Sequence, residues 1–335
     1  MIAAGAQNIA VIGDGAWGTA LALVLHANGH SVTVWSAFKE NPGRIRSAGE
    51  NAQYLPGVKL PPELQWTADR NEAAAIADIA VLAVPSRYFR ESIAGFSGLF
   101  KADCVFVSVT KGLDSGSGKR MTEVAYELLG CDGVAVLSGP SHAEEVARGI
   151  PAAVALGCTD PALAVRLAEA FTNEFFRVYT TNDVIGVELG GALKNVIALA
   201  AGAADGIGLG DNTKAVLVSR GAAEIARLGC ELGAERITFS GLSGIGDLIV
   251  TCFSKLSRNR GVGERIGRGE KVQDVLDSSQ AIEGAWNCAI VRDLALGAGV
   301  EVPITNAVYS VLYDGTPPAD AVRMLMNRPV RPEND

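Results

Sequence analysis

Short runs of apolar residues alternate with amphipathic stretches along the first 182 residues of the chain. Runs that stay apolar throughout are typical of strands buried on both faces of a parallel sheet, whereas the longer stretches repeat their apolar positions at helical spacing. The predicted strands are Ile9–Ile12, Val32–Trp35, Ile79–Val84, Val105–Val109, Val134–Leu137 and Ala152–Leu156. The predicted helices between them are Thr19–Ala27, Asn71–Ala77, Tyr88–Phe100, Lys119–Leu129 and Pro161–Phe171. We therefore expect a mostly parallel sheet covered by helices on both faces.

The strand pattern stops after Thr181, and the rest of the chain is rich in Ala and Leu at helical spacing. The predicted helices of this part are Val184–Ala204, Thr213–Leu232, Asp247–Cys252, Val272–Leu276, Trp286–Ala298, Ile304–Leu312 and Pro318–Met326. The fold class is therefore α/β, with a Rossmann-like doubly wound sheet domain over residues 1–182 and an all-α domain over residues 183–335.

A glycine turn joins the first predicted strand to the first predicted helix, with Gly13, Gly15 and Gly18 in the pattern G-x-G-x-x-G. The first glycine permits a tight turn, the second removes a Cβ so that the backbone can approach a pyrophosphate, and the third lets helix and strand pack closely. The positive end of the helix then faces the phosphates. A glycine-rich turn that binds nothing is the alternative, but the strand before it and the helix and strand after it favour a dinucleotide site.

Composition and charge narrow the possible partners. The chain has 335 residues, 48% of them hydrophobic, and a formal net charge of −8. It carries no basic stripe of the kind that follows nucleic acids. Six scattered cysteines and three histidines give no metal-binding pattern, so no metal is expected. Without a signal-peptide pattern or a run of about 18 apolar residues, we expect a cytoplasmic protein that is not embedded in a membrane.

Two predicted strands end in residues suited to ligand binding, because ligands of such sheets bind beyond the carboxyl ends of the strands. Lys111 follows the strand Val105–Val109 and could hold an anion as a point charge, or it could be a solvated surface lysine. Gly139 and Pro140 shape a turn after the strand Val134–Leu137, and Ser141 could cap a helix that begins near Ala143. This turn explains the segment without an acid–base role for His142.

The first helix of the second half combines polar residues with an apolar background. Glu188, Gly191 and Asn195 lie on one face, and two adjacent glycines indicate that a neighbouring helix or a ligand approaches closely. Lys194 would be partly desolvated here, which lowers its pKa toward a range useful for proton transfer. We therefore expect Lys194 to be catalytic.

Three later segments complete the candidate chemistry. Asp247 and Thr251 share one face of a helix, so Asp247 could orient Lys194 and the substrate, or could merely cap the helix. Arg258 with Asn259 could offer several donors to a phosphate, or could lie in an exposed charged loop. Glu283 opens another helix and could meet the cofactor.

These segments together resemble the NAD(P)-dependent glycerol-3-phosphate dehydrogenases of bacteria. The resemblance covers residues 8 to about 316 and rests on blocks that occur in order: GDGAWGTALA, NAQYLPGVKLP, TKGLD, SGPSHAEEVARG, GALKNVIALAAGAADG, GLGDN, GIGDLIVTC and SRNR. It implies a cytoplasmic homodimer that interconverts dihydroxyacetone phosphate and sn-glycerol 3-phosphate with NAD or NADP. That reaction supplies glycerol phosphate for phospholipid synthesis.

The resemblance also assigns residues. The family's proton-transfer lysine corresponds to Lys194, and with Asp247 and Lys111 it forms the catalytic set that we expect. The expected substrate contacts are Lys111, Gly139, Ser141, Lys194, Asn195, Asp247, Thr251, Ser257, Arg258 and Asn259. The expected cofactor contacts are Gly13, Gly15, Ala16, Trp17, Gly18, Tyr54, Lys111, Ala143, Arg258 and Glu283.

The stretch after the second strand departs from the family pattern. Many relatives have an arginine there for the 2′-phosphate of NADP, but this chain has Ser36-Ala37-Phe38-Lys39. The strand also lacks the terminal acidic residue that usually accepts a hydrogen bond from the ribose of NAD. Lys39 could partly replace the arginine, so both cofactors are expected to work and the preference between them stays open.

Two other functions compete with this one. A β-hydroxyacid dehydrogenase of similar architecture would also use a lysine on the first helix of the helical domain, but the Ser257-Arg258-Asn259 segment favours a phosphate over a carboxylate substrate. A redox sensor could bind a dinucleotide without catalysis. A sensor needs no proton donor, and the pairing of Lys194 with Asp247 therefore favours an enzyme.

Overall fold

The computed structural model describes residues 5–131, 133–278, 282–330 and 332–333. The outer limits of the two predicted domains, residues 1 and 335, lie outside this part of the chain. The strands are β1 (Asn8–Ile12), β2 (Ser31–Trp35), β3 (Gln65–Thr67), β4 (Ile79–Leu82), β5 (Val105–Ser108), β6 (Val134–Ser138), β7 (Ala152–Gly157) and β8 (Phe176–Thr181).

Helices alternate with these strands and then take over the chain. Those of the first half are α1 (Ala16–Ala27), α2 (Asn41–Ala48), α3 (Arg70–Ala74), α4 (Ser86–Ala94), α5 (Met121–Leu129), α6 (Ala143–Val146) and α7 (Pro161–Phe171). Those of the second half are α8 (Val184–Ile207), α9 (Asp211–Glu231), α10 (Asp247–Phe253), α11 (Arg258–Gly267), α12 (Val272–Asp277), α13 (Glu283–Gly297), α14 (Pro303–Tyr313) and α15 (Pro318–Met326). The predicted change from an α/β to an all-helical half is confirmed.

The eight strands form one sheet in the order β3-β2-β1-β4-β5-β6-β7-β8. All neighbouring pairs are parallel except β6 and β7, so the sheet is mostly parallel, as predicted. Successive residues of β1 enter different cores: Ile9 and Val11 pack on one face of the sheet, Ala10 and Ile12 on the other. Because both faces are covered, the strands can be apolar throughout.

The prediction missed two strands, and both lie at the edges of the sheet. In β8 (Phe176–Thr181) buried positions alternate with exposed ones along most of its length, and β3 (Gln65–Thr67) is only three residues long. Neither shows the continuous apolar run that identified the other strands. The helix α2 was also missed because it is polar and short.

The helix α8 is the centre of the second half, and α9, α10, α11 and α13 pack around it. By length and composition it could cross a membrane, with a mean hydropathy of 1.6, but 83% of its most apolar stretch is buried inside the protein. Its apolar sequence therefore reflects its place in the core.

The helix α11 was not predicted as a helix, because its sequence is polar and rich in glycine. The glycines have a packing role: a Cβ on Gly202 of α8 would collide with the carbonyl oxygen of Arg260, and a Cβ on Gly263 would collide with that of Leu199. The backbones of α8 and α11 are thus in direct contact. This contact holds α11 against the C-terminal half of α8.

Candidate active site

The carboxyl edge of the sheet meets α8 and α10, and the predicted lysines and carboxylate come together there. Lys111 follows β5, and its Nζ donates to the carbonyl oxygen of Gly139, which follows β6, at 2.9 Å. The same Nζ donates to Oδ2 of Asp247 at 2.7 Å. The alternative of a solvated surface lysine is therefore wrong for Lys111, which links two strand ends to α10.

Lys194 and Asp247 form a buried ion pair. Nζ of Lys194 donates to Oδ1 of Asp247 at 2.5 Å and to Oγ1 of Thr251 at 2.6 Å. The Thr251 hydroxyl in turn donates to the backbone carbonyl of Asp247 at 2.6 Å. Asp247 thus holds one ammonium on each carboxylate oxygen. It does not act as a helix cap, since Gly246 occupies that position.

Burial and charge set the protonation of this cluster. Burial lowers the pKa of Lys194 from its usual 10.5 to about 8, an effect that Asp247 opposes and Lys111 reinforces. Burial alone would raise the pKa of Asp247, but the ammonium groups of Lys111 and Lys194 outweigh it and lower this pKa. The carboxylate is therefore charged at neutral pH, and Lys194 can give or take a proton near it.

Each of the two adjacent glycines of α8 makes room for a different neighbour. A Cβ on Gly190 would lie 2.5 Å from the carbonyl oxygen of Ser243, in the π-helical turn Leu242–Gly246 that leads into α10. A Cβ on Gly191 would lie 2.5 Å from the Ser138 hydroxyl and 3.3 Å from Cγ of Lys111. The glycine pair therefore brings together the segments that carry Asp247 and Lys111.

Arg258 begins α11, and its side chain is exposed. The Ser257 hydroxyl caps the helix by accepting from the N–H of Arg260 at 3.2 Å, so the segment is a helix start and not a charged loop. Within the described residues, the guanidinium of Arg258 makes no hydrogen bond or ion pair. It is therefore free to take an anion at the helix N-terminus.

Asn195 of α8 and Asn259 of α11 connect the helices α8, α11 and α13. Nδ2 of Asn259 donates to Oδ1 of Asn195 at 3.1 Å, and Oδ1 of Asn259 accepts from the N–H of Gly284 at 2.9 Å. Both asparagines are buried. One amide hydrogen of Asn259 is left for a ligand, so most of the donors predicted for Arg258 and Asn259 together come from Arg258.

The turn after β6 differs from its predicted form. The Ser141 hydroxyl donates to the carbonyl of Gly139 at 2.9 Å, and His142, not Ser141, precedes the helix α6 that begins at Ala143. Gly139 has φ +149°, and a Cβ there would lie 2.9 Å from Cα of Val154. Burial lowers the pKa of His142, and the positive charge of Lys194 lowers it further, so its imidazole is neutral.

The glycine turn has the shape that a dinucleotide requires. A Cβ on Gly13 would lie 2.7 Å from the carbonyl oxygen of Ala83, and a Cβ on Gly18 would collide with that of Gly13, whereas a Cβ on Gly15 would meet no atom within 4 Å. No side chain caps α1, which starts at Ala16. The indole Nε1 of Trp17 is buried and has no hydrogen-bond partner among the described residues. Open space, free N–H groups and an unpaired donor fit a bound pyrophosphate-containing cofactor.

Two other expected cofactor contacts lie at different places. Tyr54 is partly buried, and its pKa is raised by burial and then by the negative charge of Asp14. Glu283 begins α13, where its carboxylate accepts from the N–H of Ser86 at 3.0 Å and from the hydroxyl of the same residue. Burial raises the pKa of Glu283. Glu283 thus ties the start of α4 to the helical half.

Some residues of this region were not found from the sequence. The Ser138 hydroxyl is buried beside Gly191, and the Ser243 hydroxyl is also buried. Neither has a hydrogen-bond partner in the part of the chain described. Glu188, which the sequence did place on the polar face of α8, accepts from the N–H and hydroxyl of Thr122 and from Arg120, so it lies outside the lysine cluster. The position of Ser138 at the carboxyl end of β6 was the one available signal.

Comparisons with known proteins agree with this geometry. Two family profiles match, one described as NAD-dependent glycerol-3-phosphate dehydrogenase N-terminus over residues 8–164 and one as the C-terminus over residues 183–323. A glycerol-3-phosphate dehydrogenase of Moorella thermoacetica that uses NAD(P)+ is 49% identical over 324 residues, 96% of each chain. One from Streptomyces avermitilis is 47% identical over 97% of each chain. The crystal structure of such an enzyme from Coxiella burnetii superposes with a TM-score of 0.93 at 38% identity, covering 96% of this chain and 99% of that one.

Proposed function

Since the chain belongs to the NAD-dependent glycerol-3-phosphate dehydrogenase family, its reaction is the interconversion of dihydroxyacetone phosphate and sn-glycerol 3-phosphate, and we propose that Lys194 moves the proton in it. The observation that carries this proposal is the buried cluster in which Asp247 holds both Lys194 and Lys111. The reaction supplies glycerol phosphate for phospholipid synthesis.

Lys194 acts as the acid in one direction and as the base in the other. As an ammonium it donates a proton to the carbonyl oxygen of the ketone, and as an amine it takes the hydroxyl proton back. Its pKa of about 8 makes both forms accessible near neutral pH. A positive charge in a buried site also stabilises the developing alkoxide more strongly than the same charge would in water.

Asp247 positions Lys194, and Lys111 balances the charge. With one carboxylate between two ammonium groups, the cluster carries one net positive charge, which suits an anionic substrate. Thr251 fixes the Lys194 amine from a second side. We propose that the substrate's hydroxyl groups displace part of this hydrogen bonding, with Gly139, Ser141 and Asn195 among their contacts.

The cofactor is NAD(P), and when bound its reduced nicotinamide would supply the hydride for the ketone carbon. We propose that Gly13, Gly15, Ala16, Trp17 and Gly18 hold the pyrophosphate. The open space at Gly15 and the unpaired indole N–H of Trp17 support this. The further proposed contacts are Lys111, Tyr54, Ala143, Arg258 and Glu283.

The phosphate of the substrate is proposed to bind at the start of α11. The supporting observations are the free guanidinium of Arg258 and the N-terminus of a ten-residue helix capped by Ser257. Asn259 contributes its remaining amide hydrogen. Holding the phosphate fixes the distance between the ketone and Lys194, so binding energy becomes orientation.

A substrate panel tests this function against its rivals. With NADH or NADPH present, loss of nicotinamide absorbance should follow addition of dihydroxyacetone phosphate and should not follow addition of small β-keto or 2-keto acids. Turnover of the carboxylates alone would favour a β-hydroxyacid dehydrogenase. Binding of the dinucleotide with no turnover of any of these substrates would favour a sensor.

We also propose the division into a cofactor domain over residues 1–182 and a catalytic domain over residues 183–335, and a homodimer in the cytoplasm. The separate family matches on the two halves support the division. Exposed apolar side chains on neighbouring elements of the helical half support a dimer: Val216, Ile237, Ile249 and Phe253. Light scattering on the wild type and on Phe253→Glu should give a dimer and a shifted equilibrium toward monomer, whereas a monomeric wild type would contradict the proposal.

A further inference from the structure

The glycine turn places a carboxylate at the end of the second strand. In the pairing of β1 with β2, Ile12 lies opposite Trp35, and the N–H of Gly13 donates to the carbonyl of Trp35 at 3.0 Å. The next residue is Asp14, whose Oδ2 accepts from the Ser36 hydroxyl at 2.6 Å and from Nδ2 of Asn41 at 2.8 Å. A residue of the glycine turn thus puts its side chain where β2 ends and α2 begins.

This carboxylate is held rigidly, but one oxygen is left for a ligand. The carbonyl of Asp14 accepts from Nδ2 of Asn51 at 2.7 Å and from the Thr19 hydroxyl at 3.3 Å, so the backbone is fixed as well. Its Oδ1 accepts no hydrogen bond from the residues that the structure describes, and it is not among the fully buried unpaired atoms. This oxygen therefore reaches the surface at the sheet edge.

No cation in the described chain forms an ion pair with Asp14. Lys39, the residue that could have replaced the family's arginine, is exposed and is not within ion-pair distance of this carboxylate. Arg44 of α2 lines a cavity together with Asn41 and Asn51, which hydrogen-bond Asp14, but it forms no ion pair with Asp14. The place beyond β2 therefore presents a carboxylate that no described cation contacts directly.

In this class of fold the adenosine ribose of the dinucleotide lies beside the end of the second strand, and an acidic residue there usually accepts from its 2′-hydroxyl. We propose that Asp14 takes this role from the glycine turn, and that it selects NAD(H) over NADP(H). A 2′-hydroxyl can donate to Oδ1. A 2′-phosphate is mostly dianionic at neutral pH and would lie against a fixed, largely buried carboxylate that no described cation pairs with, so the two charges would repel.

This inference rests on the proposed dinucleotide site but not on the substrate or on Lys194. Its test therefore uses ADP-ribose and 2′-phospho-ADP-ribose, which lack the nicotinamide, with binding to the purified protein measured by titration calorimetry. The wild type should bind ADP-ribose about tenfold or more tightly than the 2′-phosphorylated probe. Equal affinity, or tighter binding of the phosphorylated probe, would overturn the proposal.

The Asp14→Asn variant keeps an acceptor for Ser36 and Asn41 and removes the charge. Its preference should fall about tenfold or more relative to the wild type, mainly through tighter binding of the phosphorylated probe. Glu40→Gln is the matched control, because Glu40 is a nearby exposed carboxylate at the start of α2. If both variants changed the preference equally, the effect would come from nearby negative charge in general, and the assignment to Asp14 would be wrong.

The outcomes also separate this proposal from the proposed function. An unchanged preference in Asp14→Asn with a wild-type melting temperature would overturn the role of Asp14. If that variant is unstable, the preference between the two probes is measured in Asp14→Ser and compared with that of the wild type. An unchanged preference in Asp14→Ser would likewise overturn the role of Asp14. Selective binding of ADP-ribose without reduction of dihydroxyacetone phosphate would contradict the proposed reaction and leave the role of Asp14 intact.

Discussion

The glycine turn and the lysine cluster, which we propose to be two parts of one site, are built in opposite ways. The turn works through what it lacks: it has no Cβ at Gly15 and no side chain capping α1. The cluster works through charges that three distant segments bring together: Lys111 is 136 positions away from Asp247 along the chain, and Lys194 is 53 positions away. A local motif can bind a cofactor, but a buried proton donor depends on the whole fold.

The comparison predicts its largest effect at Lys194. In Lys194→Met the side chain keeps its length and loses the proton, so kcat should fall by about 10²–10⁴-fold. Binding of NADH, followed by nicotinamide fluorescence, should stay near the wild-type value because the glycine turn is untouched. Turnover close to normal would remove Lys194 from the mechanism.

The next largest effect is expected at Asp247. Asp247→Asn removes the charge that opposes desolvation of Lys194, so the pKa of Lys194 should fall further and the amine should be neutral at pH 7. Ketone reduction at neutral pH should drop about 10²-fold and recover partly in more acidic buffer.

The matched control for Asp247 is Glu188→Gln, since Glu188 is also a buried carboxylate on the interface between the halves but lies outside the cluster. This variant should lose stability in thermal unfolding and keep the wild-type pH dependence of kcat. An unmoved pH profile in Asp247→Asn would mean that Asp247 does not tune Lys194.

Arg258 distinguishes substrate binding from chemistry. Arg258→Ala should raise KM for dihydroxyacetone phosphate by roughly 10- to 100-fold, the worth of a charged hydrogen bond, with a smaller change in kcat. Arg260→Ala is the control, because Arg260 pairs with Asp205 and Glu264 and faces away from the proposed phosphate site. An equal rise of KM in both variants would show that general positive charge, not the Arg258 contact, holds the phosphate.

The smallest expected effect separates cofactor binding by the glycine turn from its role in packing. Gly15→Ala adds a Cβ in open space at an ordinary φ of −63°, so the melting temperature should stay unchanged while the affinity for NADH falls by about fivefold. Gly18→Ala should lower the melting temperature, because its Cβ would collide with the backbone of Gly13. Unchanged cofactor affinity in Gly15→Ala would mean that the pyrophosphate lies elsewhere.

The sequence predicted those parts of the fold whose signal is local. Consecutive apolar residues identified β1, β4 and β6, and glycine spacing identified the turn at Gly13. The sequence did not reveal β8, where exposed and buried residues alternate at a sheet edge, or α11, whose glycines serve contact with α8 and not its own helix propensity. These elements are determined by their neighbours, which no local window contains.

The candidate site shows the same limit. The surroundings of Lys194 predicted desolvation, and its shared environment with Asp247 was inferred from two separate helices. Two features depend on how α8, α10, α11 and α13 pack together. Lys111 shares the carboxylate of Asp247, and Asn259 uses most of its amide group on Asn195 and Gly284. The sequence did not indicate Asp14 as the proposed ribose contact, because Asp14 follows β1 and the acidic residue is expected at the end of β2.

The central claim is that the buried amine of Lys194 carries the proton, and pH dependence in both reaction directions tests it most directly. With a pKa of about 8 for the free enzyme, kcat/KM for ketone reduction should fall as the pH rises past this value, because the ammonium is lost. Over the same range kcat/KM for glycerol 3-phosphate oxidation should rise, because the free amine is the base. Profiles that change in the same direction, or that stay flat between about pH 6 and 10, would contradict the account.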